Sequence, residues 1–472
     1  MARMLFLQIQ QFAYPGIYYL CGALRASGHQ YEVIATNRSE RVFDTITRFQ
    51  PDLIGFPTMT GIHKEILQMA SEIKQRFPSN NIILGGIHPT LFPNSIRDEH
   101  IDFICRGEGE RPLVLLLETI ASGQTSFAIP NISYKRGDEI IHNDMQQLVD
   151  PMDSLSFPDY TIYRNVPVIA SDTFPMVFMT RGCPFSCTYC HNSKQKKIYR
   201  GLGKYVRSFT VDRVLDEVKA ACDAYPAARA IMLGADTIGY DMPWLRELLM
   251  RYRERFDIPY ACLARPELIT EELVLLFRNT NCHMIAFGIE SGSERVRREL
   301  LHRRYSNKQI IDAAALLKKH AINFRTYNIV GFPTETREEM LETLDLNLQI
   351  SPDFPWCSIY TPYPETALAE FSVAQGYLDK NFSYENVPTS FFNDTILRNV
   401  DRNFILNLHS FFQLAILMPL LAPFLRWLMR FPPNALYRTI FKVVYAYTSL
   451  RSEKRTLFSF LKLAFANRRL FK

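Results

Sequence analysis

The chain has 472 residues, 47% of them hydrophobic and 22% charged, and a formal net charge of +6. That length exceeds one ordinary core and predicts two domains with an appendage, while the composition excludes extended disorder and a polytopic membrane protein. Residues 401–472 hold 12 Lys/Arg against Asp401 and Glu453, so the rest of the chain is mildly acidic and a broadly basic, nucleic-acid-binding body is excluded.

Residues 1–145 alternate short apolar runs with helix-like segments: in order, "RMLFLQI", "GIYYLCGALRASGH", "YEVIAT", "VFDTITRFQ", "PDLIGFPT", "HKEILQMASEIKQRF", "NIILGGIHP", "IDFICRG" and "RPLVLLLETIASG". The alternation predicts an α/β fold with a doubly wound parallel sheet, whose ligands sit beyond the C-terminal ends of the strands. Gly85, Gly86, Gly107 and Gly109 follow apolar runs and mark those ends; their plainer role is to permit tight turns. Residues 146–170 lose periodicity, and Pro151 and Pro158 each forbid a continued helix, so this segment reads as a linker with no apolar face to bury. From 171 to 370 strand and helix alternate again, through "PMVFMT", "AIMLG", "YACLA", "HMIAFGIE" and "FRTYNIVG", which predicts an open or closed α/β barrel with its chemistry at the strand ends. Residues 371–472 read as a helical, basic and aromatic-rich C-terminal region.

Nine cysteines form only one cluster, which is no disulfide framework, and "MARMLFLQIQQF" is too short and too amide-rich for a signal peptide. A reducing cytoplasm is the expected compartment. The cluster lies in "RGCPFSCTYCHN" (181–192), where Cys183, Cys187 and Cys190 leave a fourth ligand unsupplied. Zinc with His191 as fourth ligand is one reading, disfavoured because His191 directly follows Cys190 and adjacent residues seldom converge on one tetrahedral ion.

The C-x3-C-x2-C spacing, with Tyr189 before the last cysteine and the loop placed after the first strand of an α/β barrel, resembles the signature of radical S-adenosylmethionine enzymes. The resemblance implies that Cys183, Cys187 and Cys190 hold a [4Fe-4S] cluster and that S-adenosylmethionine occupies the open iron, where one electron splits its C–S bond. It extends to "FGIESGSERV" (287–296), with Glu290 and Ser291 facing the cofactor, to "NIVGFPTET" (328–336), with the Gly331 turn passing its adenine side, and to Arg265 in "CLARPELI". Asp236, in "LGADTIG", stands without the acidic partner that relatives often carry there. Plainer roles exist for Glu290, as a helix-capping acid, and for Arg265, in a surface ion pair.

"ILGGIHPTLFP" followed by "DFICRGEGE" resembles the cobalamin-binding domain that precedes the radical domain in one large subfamily, so the resemblance covers residues 1–370. It implies a Rossmann-like fold over 1–145 that binds cobalamin near Gly85, Gly86, His88, Gly107 and Glu108. Histidine ligation of cobalt usually shows as D-x-H-x-x-G, but "DEHIDF" has Phe103 where the glycine belongs. No histidine on cobalt is therefore expected, with His88 a loop residue near the corrin.

Residues 403–425 carry no formal charge for 23 positions, yet Asn403, Asn407, His409, Gln413, Pro419 and Pro423 oppose a membrane span. The Arg, Lys and aromatic residues that follow suit helices lying in an anionic interface, or equally a helical cap on the barrel. The leading functional expectation is a cobalamin-dependent radical S-adenosylmethionine methyltransferase acting on an unactivated carbon of a hydrophobic small molecule or lipid. It would be served by an electron donor such as flavodoxin or ferredoxin, in the cytoplasm or at the inner face of the membrane. The alternative is an oxidative or ring-forming enzyme like the anaerobic porphyrin-ester cyclases, and the outsider is a non-catalytic cobalamin or redox sensor.

Overall fold

The computed structural model describes residues 1–390 and 392–467, which form two compact units. One is made of Met1–Asp172, Gln195–Pro226 and Lys462–Asn467, the other of Thr173–Lys194 and Ala227–Leu461. Arg468, Arg469 and Lys472 of the basic tail lie outside the described residues.

In the first unit, β1 (Arg3–Gln8), β2 (Gln30–Ala35), β3 (Leu53–Pro57), β4 (Asn81–Gly85), β5 (Phe103–Cys105), β6 (Ile132–Arg136) and β7 (Glu139–His142) form one sheet in the order 2-1-3-4-5-6-7. The first five strands are parallel. Their interiors are apolar on both faces, as Leu5, Leu7, Ile54, Phe56 and Ile82 show, because helices cover both sides. Those helices are α1 (Pro15–Ala26), α2 (Ser39–Phe49), α3 (His63–Arg76), α4 (Ile87–Leu91) and α5 (Glu110–Ala121). Helix α3 shows the cause: Ile66, Met69, Ala70 and Ile73 recur at helical spacing and are its buried stripe. Strands β6 and β7 were not legible in the alternation; they add an antiparallel hairpin to the edge.

Two sequence expectations change here. Residues 146–170 are not a faceless linker, because Met152, Leu155, Tyr160, Tyr163, Val166 and Ile169 are all buried. Pro151 and Pro158 stop regular helix without stopping burial. Residues 195–226, expected inside the barrel region, instead cluster with the first unit. On α6 (Val211–Ala224), Arg213 donates to the Leu155 and Ser156 carbonyls, and Glu217 accepts from the hydroxyls of Tyr19 and Tyr160.

In the second unit, β8 (Met176–Phe178), β9 (Ile231–Gly234), β10 (Tyr260–Ala264), β11 (Cys282–Glu290), β12 (Asn323–Val330) and β13 (Phe354–Ile359) form a parallel sheet in strict sequential order. Helices α7 (Met242–Arg255), α8 (Glu271–Asn279), α9 (Asn307–Lys319) and α10 (Arg337–Ile350) alternate with the strands from β9 onward. The order leaves β8 and β13 as two edges, so the barrel is partial. After α11 (Ala367–Ala374), the C-terminal helices are α12 (Arg402–Leu417), α13 (Ala422–Leu428), α14 (Ala435–Ser452) and α15 (Leu457–Ala466). Helix α12 lays Phe404, Ile405, Leu408, Phe411 and Phe412 against Val330, Met340, Cys357 and Ile359. The charge-free stretch is therefore largely core, and among the described residues no helix is long and apolar enough to cross a membrane.

Candidate functional site

The cysteine loop begins where β8 ends. Cys187 is buried, and Cys183 and Cys190 are partly so. Burial pushes the Cys190 thiol up to about 12, and the neighbouring Cys187 and Cys183 sulfurs push the same way, which places the three thiols within electrostatic reach of one another. Among the described residues, no three His, Cys, Asp or Glu side chains converge on one point that would hold a single metal ion.

The ends of the next strands supply polar groups. Arg265, directly after β10, donates from Nε to Glu267 at 2.6 Å, reaches the Cys187 sulfur with Nη1 at 3.6 Å and lies 3.7 Å over the Phe185 ring. It is only 7% exposed, so it is not in a surface ion pair; its guanidinium sits beside the Cys187 sulfur. Glu290 closes β11 with φ of +65°, in the left-handed region that non-glycine residues rarely occupy. Its carboxylate accepts from Arg303 at 2.7 Å, and the same guanidinium nitrogen donates to the Tyr189 hydroxyl at 2.8 Å. Arg303 also donates to the Gly288 carbonyl at 3.1 Å. One buried cation thus ties the residue before Cys190 to the end of β11. Ser291 is fully buried and donates to Glu335 at 3.3 Å, and the backbone N–H groups of Gly331 and Phe332 donate to the same carboxylate. Burial raises Glu335 to about 8.

Arg303 and Glu335 were not singled out in the sequence, because nothing local in "HRRY" marks a partner for the end of β11 and "GFPTET" reads as a turn. Asp236 is exposed, and its charge acts on Cys190, so it stands near the loop. Gly331, expected on the adenine side, has φ of +81°, and a Cβ there would meet Ile405 of α12 at 2.9 Å; its missing side chain makes room for a helix.

Four buried polar atoms around these strand ends have no hydrogen-bond partner within the chain: Thr180 Oγ1, Thr237 Oγ1, Glu267 Oε2 and Arg303 Nε. They follow β8, β9, β10 and β11 in turn. Buried polar groups are nearly always bonded, so this ring fits a polar ligand lying across the strand ends.

In the first unit, the strand order reverses between β1 and β3, the switch point at which open α/β sheets bind ligands. A Cβ on Gly85 would meet nothing within 4 Å, and Arg106 Nε, just after β5, lacks a partner; both fit a bulky polar cofactor there. The other expected residues have structural duties. Gly86 has φ of +95° and backs onto the Thr58 carbonyl, and Gly107 leaves room for Met145 and Tyr199. Glu108 is held by Arg207 at 2.8 Å and by the Val149 N–H. His88 is not a loop residue: it sits in α4, 1% exposed, bonded to Thr60 at 3.0 Å and stacked on His63. Burial, then His63, lowers its pKa to about 3.

Two family models match the chain: the B12 binding domain over residues 11–117 and the Radical SAM superfamily over residues 177–346. An uncharacterized methyltransferase of Pyrococcus horikoshii is 28% identical, over 77% of this chain and 79% of its own. The anaerobic magnesium-protoporphyrin IX monomethyl ester cyclase of Cereibacter sphaeroides is 26% identical over 74% of this chain, which spans 58% of that enzyme's length. Among solved structures, the radical S-adenosylmethionine methyltransferase TsrM of Kitasatospora setae superposes with a TM-score of 0.66 at 16% identity, covering 79% of this chain and 75% of that one. OxsB, a cobalamin-dependent S-adenosylmethionine radical enzyme, gives 0.63 at 17%, covering 82% and 57%. The chain thus carries a B12-binding domain followed by a radical SAM domain, and the thiol loop lies in the second.

Proposed function

We propose that the protein is a cobalamin-dependent radical SAM methyltransferase that acts on an unactivated carbon of a hydrophobic small molecule or lipid. The observation that carries this reading is the B12-binding domain ahead of a radical SAM domain whose first strand runs into the three-thiol loop. When bound, the cluster supplies an electron that splits S-adenosylmethionine into a hydrogen-abstracting radical, and cobalamin carries the methyl group.

The chain's own residues do the rest. Cys183, Cys187 and Cys190 would hold the cluster, and Arg265 places its charge beside the Cys187 sulfur. Arg303 fixes Glu290 and Tyr189 before any ligand arrives, which keeps the loop and the β11 end at constant separation. Thr180, Thr237, Glu267 and Arg303 offer the unpartnered atoms that meet the polar groups of S-adenosylmethionine. In the first unit, the side-chain-free face of Gly85 and the Arg106 guanidinium would receive cobalamin, while His88 is engaged by Thr60 and His63. A flavodoxin or ferredoxin supplies the electron. The exposed apolar residues of α13, α14 and α15 bring the enzyme to the inner face of a membrane, where such a substrate resides.

The test is mass spectrometry of products from anaerobically reconstituted enzyme supplied with trideuteromethyl S-adenosylmethionine and candidate lipids and small hydrophobic molecules. A product carrying the trideuteromethyl group is expected. An oxidised or cyclised product without label would replace this reading by the ring-forming one, which the similarity to the ester cyclases keeps as the second choice.

A further inference from the structure

Beside the edge strand β13, α12 and the start of α14 enclose a cavity of about 700 Å³ together with residues 392–394. It lies across the sheet from the cysteine loop, because β8 and β13 are opposite edges of the six strands. None of the cavity's lining residues belongs to the cysteine loop or to the strand ends that follow β8 to β11. The cavity belongs wholly to the second unit and stands independently of the methyl-transfer reading.

Its lining has two sides. One is aromatic: the His409 and Phe441 ring centroids are 4.4 Å apart, and Phe392 lies 6.0 Å from Phe441. The other is cationic. Arg402, Arg438 and Lys442 face a single acid, Asp394, which Arg402 already neutralises with bonds of 2.7 and 2.5 Å. Arg438 and Lys442 take part in no ion pair among the described residues, so the lining keeps a surplus of two positive charges. Residues 433–435 bring the N-terminus of the 18-residue α14 to the same wall. The Asn434 side chain caps only the Tyr437 N–H, so the preceding first-turn N–H groups remain for an anion, which the helix dipole favours.

The second, independent observation is His409. It is 3% exposed and lines the cavity, yet its Nε2 has no hydrogen-bond partner. Its other contact is to the Cys357 backbone, and burial lowers its pKa to about 4, so the ring is neutral with Nε2 as an acceptor. A buried acceptor without a partner is costly, and a ligand hydroxyl would satisfy it.

We propose that this cavity binds a phosphate monoester bearing a hydroxyl group and an apolar or aromatic body, at a site separate from the cysteine loop. A phosphate monoester carries close to two negative charges at neutral pH, which matches the surplus. Arg438, Lys442 and the α14 N-terminus take the phosphate, His409 takes the hydroxyl, and Phe392 and Phe441 cover the body.

The test is isothermal titration of the full chain with inorganic phosphate, adenosine 5′-monophosphate and a lysophosphatidic acid below its micelle concentration. At least one ester should bind more tightly than inorganic phosphate. Which ester is tighter tells whether the natural source is a soluble phosphate ester or a lipid headgroup. Replacing exposed Arg438→Gln and Lys442→Gln together should weaken ester binding about tenfold, the order of one lost charge-assisted bond, with thermal unfolding unchanged. Esters no tighter than inorganic phosphate, or a double variant that binds like the parent, would overturn the proposal.

Discussion

Arg303 is the residue on which the site's geometry turns. Its side chain is 7% exposed, Glu290 beside it 9%, and it bonds Tyr189 as well. Removing one partner of a buried pair leaves the other charge uncompensated, at a cost of roughly 3–5 kcal/mol. Arg303→Met should therefore lower unfolding stability by about that amount in denaturant titration, and a loss below about 1 kcal/mol would show that the pair is solvated. Glu335 gives a second prediction, with a sign fixed by linkage. Its folded pKa of about 8 lies above the ordinary carboxyl value of 4.5, so the folded chain binds more protons between those limits. The carboxyl's contribution is fully present below the lower value and is lost as pH rises through the upper one, with a slope of at most about 1.4 kcal/mol per pH unit. Glu335→Gln should flatten this fall between pH 5 and 8; parallel pH profiles of the two proteins would contradict the assignment.

At the scale of elements, strand and helix alternation made both parallel sheets legible, because strands buried on both faces appear as continuous apolar runs such as "NIILGG" and "YACLA". The cysteine spacing was equally plain. What the sequence concealed was partnership. Nothing local in "GEGE" says that Glu108 pairs with Arg207, 99 residues away, or that Gly331 makes room for Ile405. The 146–170 segment misled because prolines break periodicity while Tyr160 and Tyr163 still bury. The six cysteines outside the loop follow the usual rule for thiols: Cys21, Cys105, Cys262 and Cys357 are buried, and Cys222 and Cys282 partly so.

For the whole molecule, the asymmetry of the C-terminal helices is the main feature. Leu420 is 96% exposed, and Phe424, Trp427, Leu436, Phe458 and Phe465 are each at least half exposed. Together with the basic excess of residues 401–472, this exposure is the ground on which we propose membrane contact, where each basic residue near an anionic bilayer would contribute roughly 1 kcal/mol. The full chain should sediment with anionic vesicles at low salt and release as salt rises, and Trp427→Ala with Phe458→Asp should reduce the bound fraction severalfold. Indifference to vesicles, with a chain cut at residue 400 aggregating, would make these helices a cap on the barrel instead. The central claim, that three thiols at the first barrel strand hold the cluster that opens S-adenosylmethionine, is tested most directly by reductive cleavage. Anaerobically reconstituted protein given dithionite should hold about four irons in the triad and release 5′-deoxyadenosine, and the variant with Cys183, Cys187 and Cys190 all replaced by Ala should do neither. Iron-loaded wild-type protein that releases no 5′-deoxyadenosine, or a triple variant that still does, would contradict it.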